Sequence, residues 1–250
     1  DIAKEKFGII KKDTSVVCAE NSDPSIMDLF KQTCNSRNAP FRIVELSDAN
    51  TTSQCENGVS FIWKNENFKL RLNGTFQVLN ALVALEALEE AGLNNPEFAR
   101  IGIETAFIPG RFQNIIYKNR PFIIDVGHNP DAADILVSNL KKRYPQKSIC
   151  FITGIMKYKD FEKVINKYLQ IATGVILTRP QIERAASVEL LLNAVPPALK
   201  NKCRIIESIP DAIDSSFKEN FDIICIAGSF HTVGEACEHM KLNLEPDLAE

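Results

Sequence analysis

Residues 108–250 predict an α/β fold built on a Rossmann-like, mostly parallel sheet with flanking helices. Three observations carry this expectation. Short apolar runs alternate with amphipathic stretches: strands at 114–118, 121–125, 148–153, 174–178, 203–206 and 222–227, helices at 130–143, 160–170, 187–194, 210–219 and 231–241. Strands separated in this way by helix-length connections pair in parallel. The run Pro121-Phe122-Ile123-Ile124 is apolar without alternation, as a strand buried on both faces reads. It ends at Asp125-Val126-Gly127-His128-Asn129-Pro130, where Asn129 suits a helix N-cap and Pro130 the first helical position.

Residues 1–107 read as a separate unit. Ser15 to Cys18 is a short strand. Asp23-Pro24 opens a helix with Ile26, Leu29 and Phe30 inward, and Phe41 to Leu46 is a second strand. Residues 47–57 are polar and read as a loop. Val59–Trp63 and Phe68–Leu72 form a hairpin around Lys64-Asn65-Glu66-Asn67. Phe76 to Ala91 is a periodic helix with Gly92 at its end, and Pro96 to Phe107 is a second, stopped before Pro109. In the second unit, the helix after Pro130 places Ala132, Ile135, Leu136 and Leu140 on one face.

Composition removes several function classes. The net charge of −3 gives no bulk basic field for nucleic acid or anionic membrane. No apolar run approaches the length of a membrane span. Seven cysteines are scattered without a Cys-x-x-Cys pair, which argues for buried thiols in a reduced compartment rather than zinc or redox chemistry. No strand is followed by the glycine-rich dinucleotide fingerprint, so a nicotinamide or flavin cofactor is not expected. No G-x-x-x-x-G-K-[ST] phosphate loop occurs either.

The polar groups that could carry chemistry gather at strand ends, where open α/β sheets bind ligands. Arg111, in Pro109-Gly110-Arg111-Phe112-Gln113, has the planar fork that grips phosphate oxygens, or makes a surface ion pair. Asp125 and His128 flank a helix start, whose N–H groups favour anions. Asp125 alternatively bonds loop amides, and His128 is alternatively an ordinary loop histidine. Ser229, after Gly228, opens another helix as a ligand group, an N-cap, or both. Asn80 lies on a helix, alternatively as a solvent-facing residue, and Lys6 sits among Lys4, Lys11 and Lys12 as a surface lysine.

Five ordered motifs resemble the folylpolyglutamate synthase / dihydrofolate synthase family of the Mur-ligase superfamily: Glu5-Lys6-Phe7-Gly8-Ile9, Asn73-Gly74-Thr75-Phe76-Gln77 with Asn80-Ala81, Pro109 to Gln113, Asp125 to Pro130, and Gly228-Ser229. Phe76 stands where that family usually has histidine, and Gly127 where it has alanine. The resemblance implies an ADP-forming ligase that uses ATP and Mg2+ to join L-glutamate to dihydropteroate or a folate through an acyl phosphate. It implies that residues 1–107 are the C-terminal part of a central ATP-binding domain whose phosphate loop lies upstream, and that 108–250 are the C-terminal ligase domain. By the same resemblance Arg111, Asn80 and Asp125 contact the nucleotide, Lys6 holds metal as a carbamate, and His128 and Ser229 serve the glutamate site beside Asp125. Lys157, Lys159, Asp160 and Arg184 match further family loops more loosely. A cytoplasmic monomer is expected. So is weak activity of these residues alone. The alternatives are a peptidoglycan-type Mur ligase and a non-catalytic nucleotide- or glutamate-binding chain.

Overall fold

The computed structural model describes residues 2–55 and 58–242. The chain divides into two compact units, Asp1–Ala106 and Phe107–Glu250.

The first unit runs α1 (Ile2–Phe7), β1 (Val16–Ala19), α2 (Pro24–Ser36), β2 (Phe41–Val44), β3 (Asn50–Cys55), β4 (Gly58–Trp63), β5 (Glu66–Leu70), α3 (Thr75–Glu90) and α4 (Pro96–Thr105). β1 and β2 pair in parallel as a two-stranded sheet. β3, β4 and β5 form an antiparallel sheet in that order. Its apolar side (Val59, Phe61, Trp63, Phe68 and Leu70) meets Val78, Leu82 and Leu85 of α3. A smaller cluster joins Met27, Phe30 and Cys34 of α2 to Ile10 and Ala39.

Two expectations for this unit change. Residues 47–57 are not all loop: a 3-10 turn spans Leu46–Asp48 and β3 follows, with a register irregularity between Thr51 and Ser53. Asn-Thr-Thr-Ser-Gln carries no apolar alternation, so the sequence offered no strand period to read, and β3 stands at the edge of its sheet, where polar strands are tolerated. The hairpin loop is Lys64-Asn65 alone, both residues at positive φ (47° and 66°), with Trp63 opposite Glu66. That backbone matches the strand twist, so Glu66 and Asn67 enter β5.

The second unit runs β6 (Gln113–Tyr117), β7 (Arg120–Asp125), α5 (Pro130–Arg143), β8 (Ile149–Thr153), α6 (Phe161–Leu169), β9 (Gly174–Leu177), α7 (Val188–Asn193), β10 (Cys203–Ile205), α8 (Ile209–Ser216), β11 (Ile223–Ala227) and α9 (Phe230–Met240). One six-stranded sheet has the order β10-β9-β8-β11-β7-β6. All its pairings are parallel except β6 with β7. The expected mostly parallel sheet with flanking helices is therefore present.

Strand residues alternate between two cores. Ile123, Phe151, Val175 and Cys225 face a cluster with Leu136, Leu140, Val164, Tyr168 and Leu191 of α5, α6 and α7. Phe122, Ile124, Ile152, Ile224 and Ile226 face a second with Ile209, Ala212, Ile213, Val233, Ala236 and Met240 of α8 and α9. Every residue of β8 and β11 is buried, which explains the apolar runs Ile149 to Ile152 and Ile223 to Ala227. Each full burial of an Ile, Leu or Phe contributes about 1.5–3 kcal/mol. The buried face of α5 is Ala133, Leu136, Val137 and Leu140, whereas Ile135 is exposed. The expected face was therefore rotated: Ala133 and Val137 replace Ala132 and Ile135.

Candidate functional site at the carboxyl ends of β7, β8 and β11

The sheet order brings the ends of β7 and β8 to either side of β11, with Ala227 opposite both Asp125 and Thr153. The chain leaves β7 into α5 and β11 into α9. Two helix N-termini therefore start from adjacent strands, and their dipoles and N–H groups favour anions on that side.

Asp125 ends β7 and is almost wholly buried. Its Oδ1 accepts from the Gly127 amide at 2.7 Å and its Oδ2 from the Phe112 amide at 3.0 Å. Burial raises its pKa above the usual carboxylate value, opposed by these two amides and by the nearby Arg111 charge. Both oxygens thus hold loop backbone, one of the two roles its sequence position allowed.

The amide at Phe112 belongs to the Arg111 loop. Gly110 and Phe112 both have positive φ, 69° and 45°. The Gly110 amide donates to Gln113 Oε1 at 2.9 Å, and the Gly110 carbonyl accepts from Val126 N at 2.8 Å. A Cβ on Gly110 would lie 2.7 Å from Val126 Cγ1, so glycine allows the close approach as well as the turn. The Phe112 ring is sunk in the α5–α7 core. Pro109 to Gln113 is thus a loop pinned at both flanks, presenting half-buried Arg111 between them. Gly127, where alanine was expected from the resemblance, has a reason here: a Cβ would lie 2.6 Å from Asp125 Oδ1 and 2.8 Å from Ala132 Cβ.

His128 precedes Asn129, whose Oδ1 caps α5 by accepting from Ala132 N at 2.8 Å. The His128 Nδ1 lies 3.2 Å from the Val126 carbonyl. A carbonyl only accepts, so this contact needs a proton on Nδ1, and in a neutral ring the lone pair is then on Nε2. The imidazole packs at a tilt against Phe230, 5.9 Å between centroids, which joins the starts of α5 and α9. Phe230 is large, apolar and 58% exposed.

Ser229 is buried and caps α9, accepting from Thr232 N at 3.0 Å. Its Oγ also lies 2.8 Å from Thr232 Oγ1, which in turn donates to the Gly154 carbonyl at 2.7 Å. Gly228 has φ 119°, and a Cβ there would lie 2.6 Å from Thr153 Oγ1. That threonine hydroxyl, at the end of β8, is buried and has no hydrogen-bond partner among the described residues. Sequence reasoning singled out Ser229, met Gly154, Phe230 and Thr232 only as members of motifs without a role of their own, and missed Thr153. Only the Ser-x-x-Thr spacing at a helix start signalled a role for any of them.

Arg111, Asp125, His128 and Ser229 thus share one end of one sheet. Asn80 and Lys6 belong to the first unit. Asn80 is an exposed residue of α3 whose Nδ2 donates to Gln77 Oε1 at 2.9 Å. Lys6 is exposed on α1. The described residues hold no cluster of three or more His, Cys, Asp or Glu able to bind a metal ion. Lys6 as a carbamate would add one carboxylate-like ligand, so these residues do not by themselves fit a divalent cation. Lys157, Asp160 and Arg184 are exposed: Lys157 N donates to Arg184 O at 3.0 Å, and Asp160 caps α6 and pairs with Lys163 at 2.7 Å. Among the described residues no helix is long and apolar enough to cross a membrane.

Residues 110–230 match the family "Mur ligase, glutamate ligase domain". The chain is similar to the dihydrofolate synthase/folylpolyglutamate synthase of Bacillus subtilis, 25% identical over 254 residues that cover 96% of this chain and 58% of that protein. It is also similar to the UDP-N-acetylmuramoyl-L-alanyl-D-glutamate–2,6-diaminopimelate ligase of Buchnera aphidicola, 30% identical over 180 residues, 68% of this chain and 35% of that one. Among solved structures it resembles the folylpolyglutamate synthase of Thermotoga maritima, with a TM-score of 0.76 and 26% identity over 98% of this chain and 58% of that chain. The fold also matches the Mycobacterium tuberculosis folylpolyglutamate synthase complexed with ADP and AMPPCP, with a TM-score of 0.85 and 23% identity over 97% and 59%. The chain thus spans little more than half the length of the folate-branch relatives it matches. It belongs to the Mur ligase superfamily, and its second unit carries that superfamily's glutamate ligase domain beside relatives that are folylpolyglutamate and dihydrofolate synthases.

Proposed function

We propose that this chain works within an ATP-dependent ligase that joins L-glutamate to dihydropteroate or a folate polyglutamate. ATP phosphorylates the acceptor carboxylate, and the glutamate amine attacks the resulting acyl phosphate and expels phosphate. Such a reaction asks a protein to position reactants and to offset phosphate charge. The observation that carries the reading is the pinned Arg111 loop beside two adjacent helix N-termini. In this reading Arg111 grips phosphate oxygens and Asp125 fixes the loop that presents it. His128 offers Nε2 to the reacting groups. The start of α9, capped by Ser229, receives a glutamate carboxylate. Asn80 contacts the nucleotide, and Lys6 as a carbamate would supply one carboxylate-like ligand to Mg2+, with no cluster of further acidic or imidazole ligands among the described residues.

The first unit, in this reading, is the C-terminal part of a central ATP-binding domain. Its two-stranded parallel β1–β2 sheet supports this, because parallel pairs rarely stand outside larger covered sheets. The phosphate loop is supplied from outside these residues, so they alone turn over weakly or not at all. The charge balance offers no basic field for nucleic acid or an anionic membrane, and the resemblance to the folate branch carries the proposal of a cytoplasmic monomer. A second reading, a peptidoglycan-type ligase, is favoured by the similarity to the diaminopimelate ligase. A non-catalytic binding chain is the third.

The test is ADP release by the protein of the whole gene, given ATP, Mg2+, L-glutamate and either dihydropteroate or a UDP-muramyl peptide. Turnover with dihydropteroate, lost by at least about tenfold in Arg111→Ala, is the expected result. Turnover only with the muramyl acceptor selects the second reading, and none with either selects the third. The 250-residue chain alone should release no glutamate-dependent ADP.

A further inference from the structure

Thr232 is fully buried one turn into α9, and its hydroxyl makes two contacts. The Gly154 carbonyl, 2.7 Å away, can only accept, so the one Thr232 hydroxyl proton is committed to it. The 2.8 Å contact between Ser229 Oγ and Thr232 Oγ1 then admits only Ser229 as donor. Ser229 meanwhile accepts from the Thr232 amide. The hydroxyl protons therefore run inward, from Ser229 to Thr232 to Gly154. Two glycines let this chain close: a Cβ on Gly154 would lie 2.8 Å from Thr232 Oγ1 and 2.9 Å from the Thr178 carbonyl, and one on Gly228 would lie 3.0 Å from the Gly154 carbonyl.

We propose that Thr232 is a positioning residue that latches the start of α9 to the loop after β8 and turns the Ser229 proton away from the crevice. This rests on the reading in which α9 receives a glutamate carboxylate. The donors facing that carboxylate are then backbone amides of the first turn of α9, not the Ser229 hydroxyl. Without the latch, the Ser229 hydroxyl can rotate, the Gly154 carbonyl loses its donor, and the two loops part.

The experiment titrates L-glutamate into the full chain and into Thr232→Ser and Thr232→Val, following affinity by calorimetry and the Phe230 and His231 amides by NMR. Thr232→Ser keeps the hydroxyl and should stay within about threefold of wild type. Thr232→Val keeps the shape and should bind about tenfold more weakly, the usual loss when a hydrogen bond to a polar site is removed. Equal affinity of wild type and Thr232→Val, or a Thr232→Ser as weak as the valine variant, overturns the proposal. If the wild type binds no glutamate, the functional reading fails and takes the positioning role with it. Should the valine variant not fold, hydroxyl-proton NMR of the wild type decides: the Ser229 proton lies on Thr232 Oγ1 if the latch exists, and points outward if it does not.

Discussion

Asp125 shows how a residue's place in a motif and its physical task can differ. From sequence it was a candidate catalytic and nucleotide-binding group. In the structure its two oxygens are occupied by the amides of Phe112 and Gly127. Asp125→Ala would leave both amides buried without an acceptor, a cost on the order of 3 kcal/mol at about 1–3 kcal/mol for each orphaned group. Asp125→Asn keeps one oxygen but turns an NH2 toward the second donor, so it should fall between alanine and wild type. Urea unfolding of the three proteins checks the order, and an alanine variant as stable as wild type would show that the loop does not depend on this carboxylate. The sequence alone did place Arg111 in a turn and Asp125, His128 and Ser229 at strand ends and helix starts, which is where the structure has them. It did not reveal the pairing of Asp125 with Phe112, because a side chain reaching a backbone amide 13 residues away leaves no periodicity to read.

At the scale of elements, the parallel strands were legible because burial on both faces removes polar residues from them. The strand β3 was not, since an edge strand of Asn, Thr, Ser and Gln looks like loop. The α5 face was misjudged by one position because Ala132 and Ala133, and Ile135 and Leu136, are apolar neighbours. Tertiary packing alone chooses between them. A tie at the opposite end of the sheet carries a prediction. Asp222 Oδ2 accepts from Ser148 N at 2.8 Å and from Ser148 Oγ at 2.7 Å, while Asp222 N donates to Ser148 Oγ at 2.9 Å. The backbone amide of Ser148, its hydroxyl and then Lys147 hold the Asp222 carboxyl down at about 2. The unfolded value is about 3.9. A depressed carboxylate stabilises the fold above its unfolded pKa, and that contribution is lost as pH falls through about 2. Carbon-detected NMR should therefore find the Asp222 carboxyl titrating near 2. Asp222→Asn should flatten the loss of stability between about pH 4 and 2. A midpoint near 4 in the wild type would mean that the clamp between the starts of β8 and β11 is not closed in solution.

For the whole molecule, the division into two units was expected from the change of rhythm near residue 107: mixed hairpin and helices before it, regular strand–helix alternation after it. The cores follow the same division. Each buried residue of the two clusters flanking the six-stranded sheet lies between Phe112 and Met240. Each buried residue of the other two lies between Ile10 and Ile103. The second unit therefore has both sheet faces covered by its own helices, α5 to α7 on one and α8 and α9 on the other. Residues 107–242 expressed alone should then fold cooperatively, as domains of about 100–150 residues usually do. The measurement is thermal unfolding followed by far- and near-ultraviolet circular dichroism together. Coincident sigmoidal transitions are the expected result, because Phe151, stacked on Tyr168 at 4.6 Å, gives the near-ultraviolet signal a fixed environment from this unit alone. Retained helical signal without near-ultraviolet structure would mean that the helices form but do not lock onto the sheet. The packing that fixes Asp125, Ser229 and Thr232 would then depend on more of the protein than the unit that carries them.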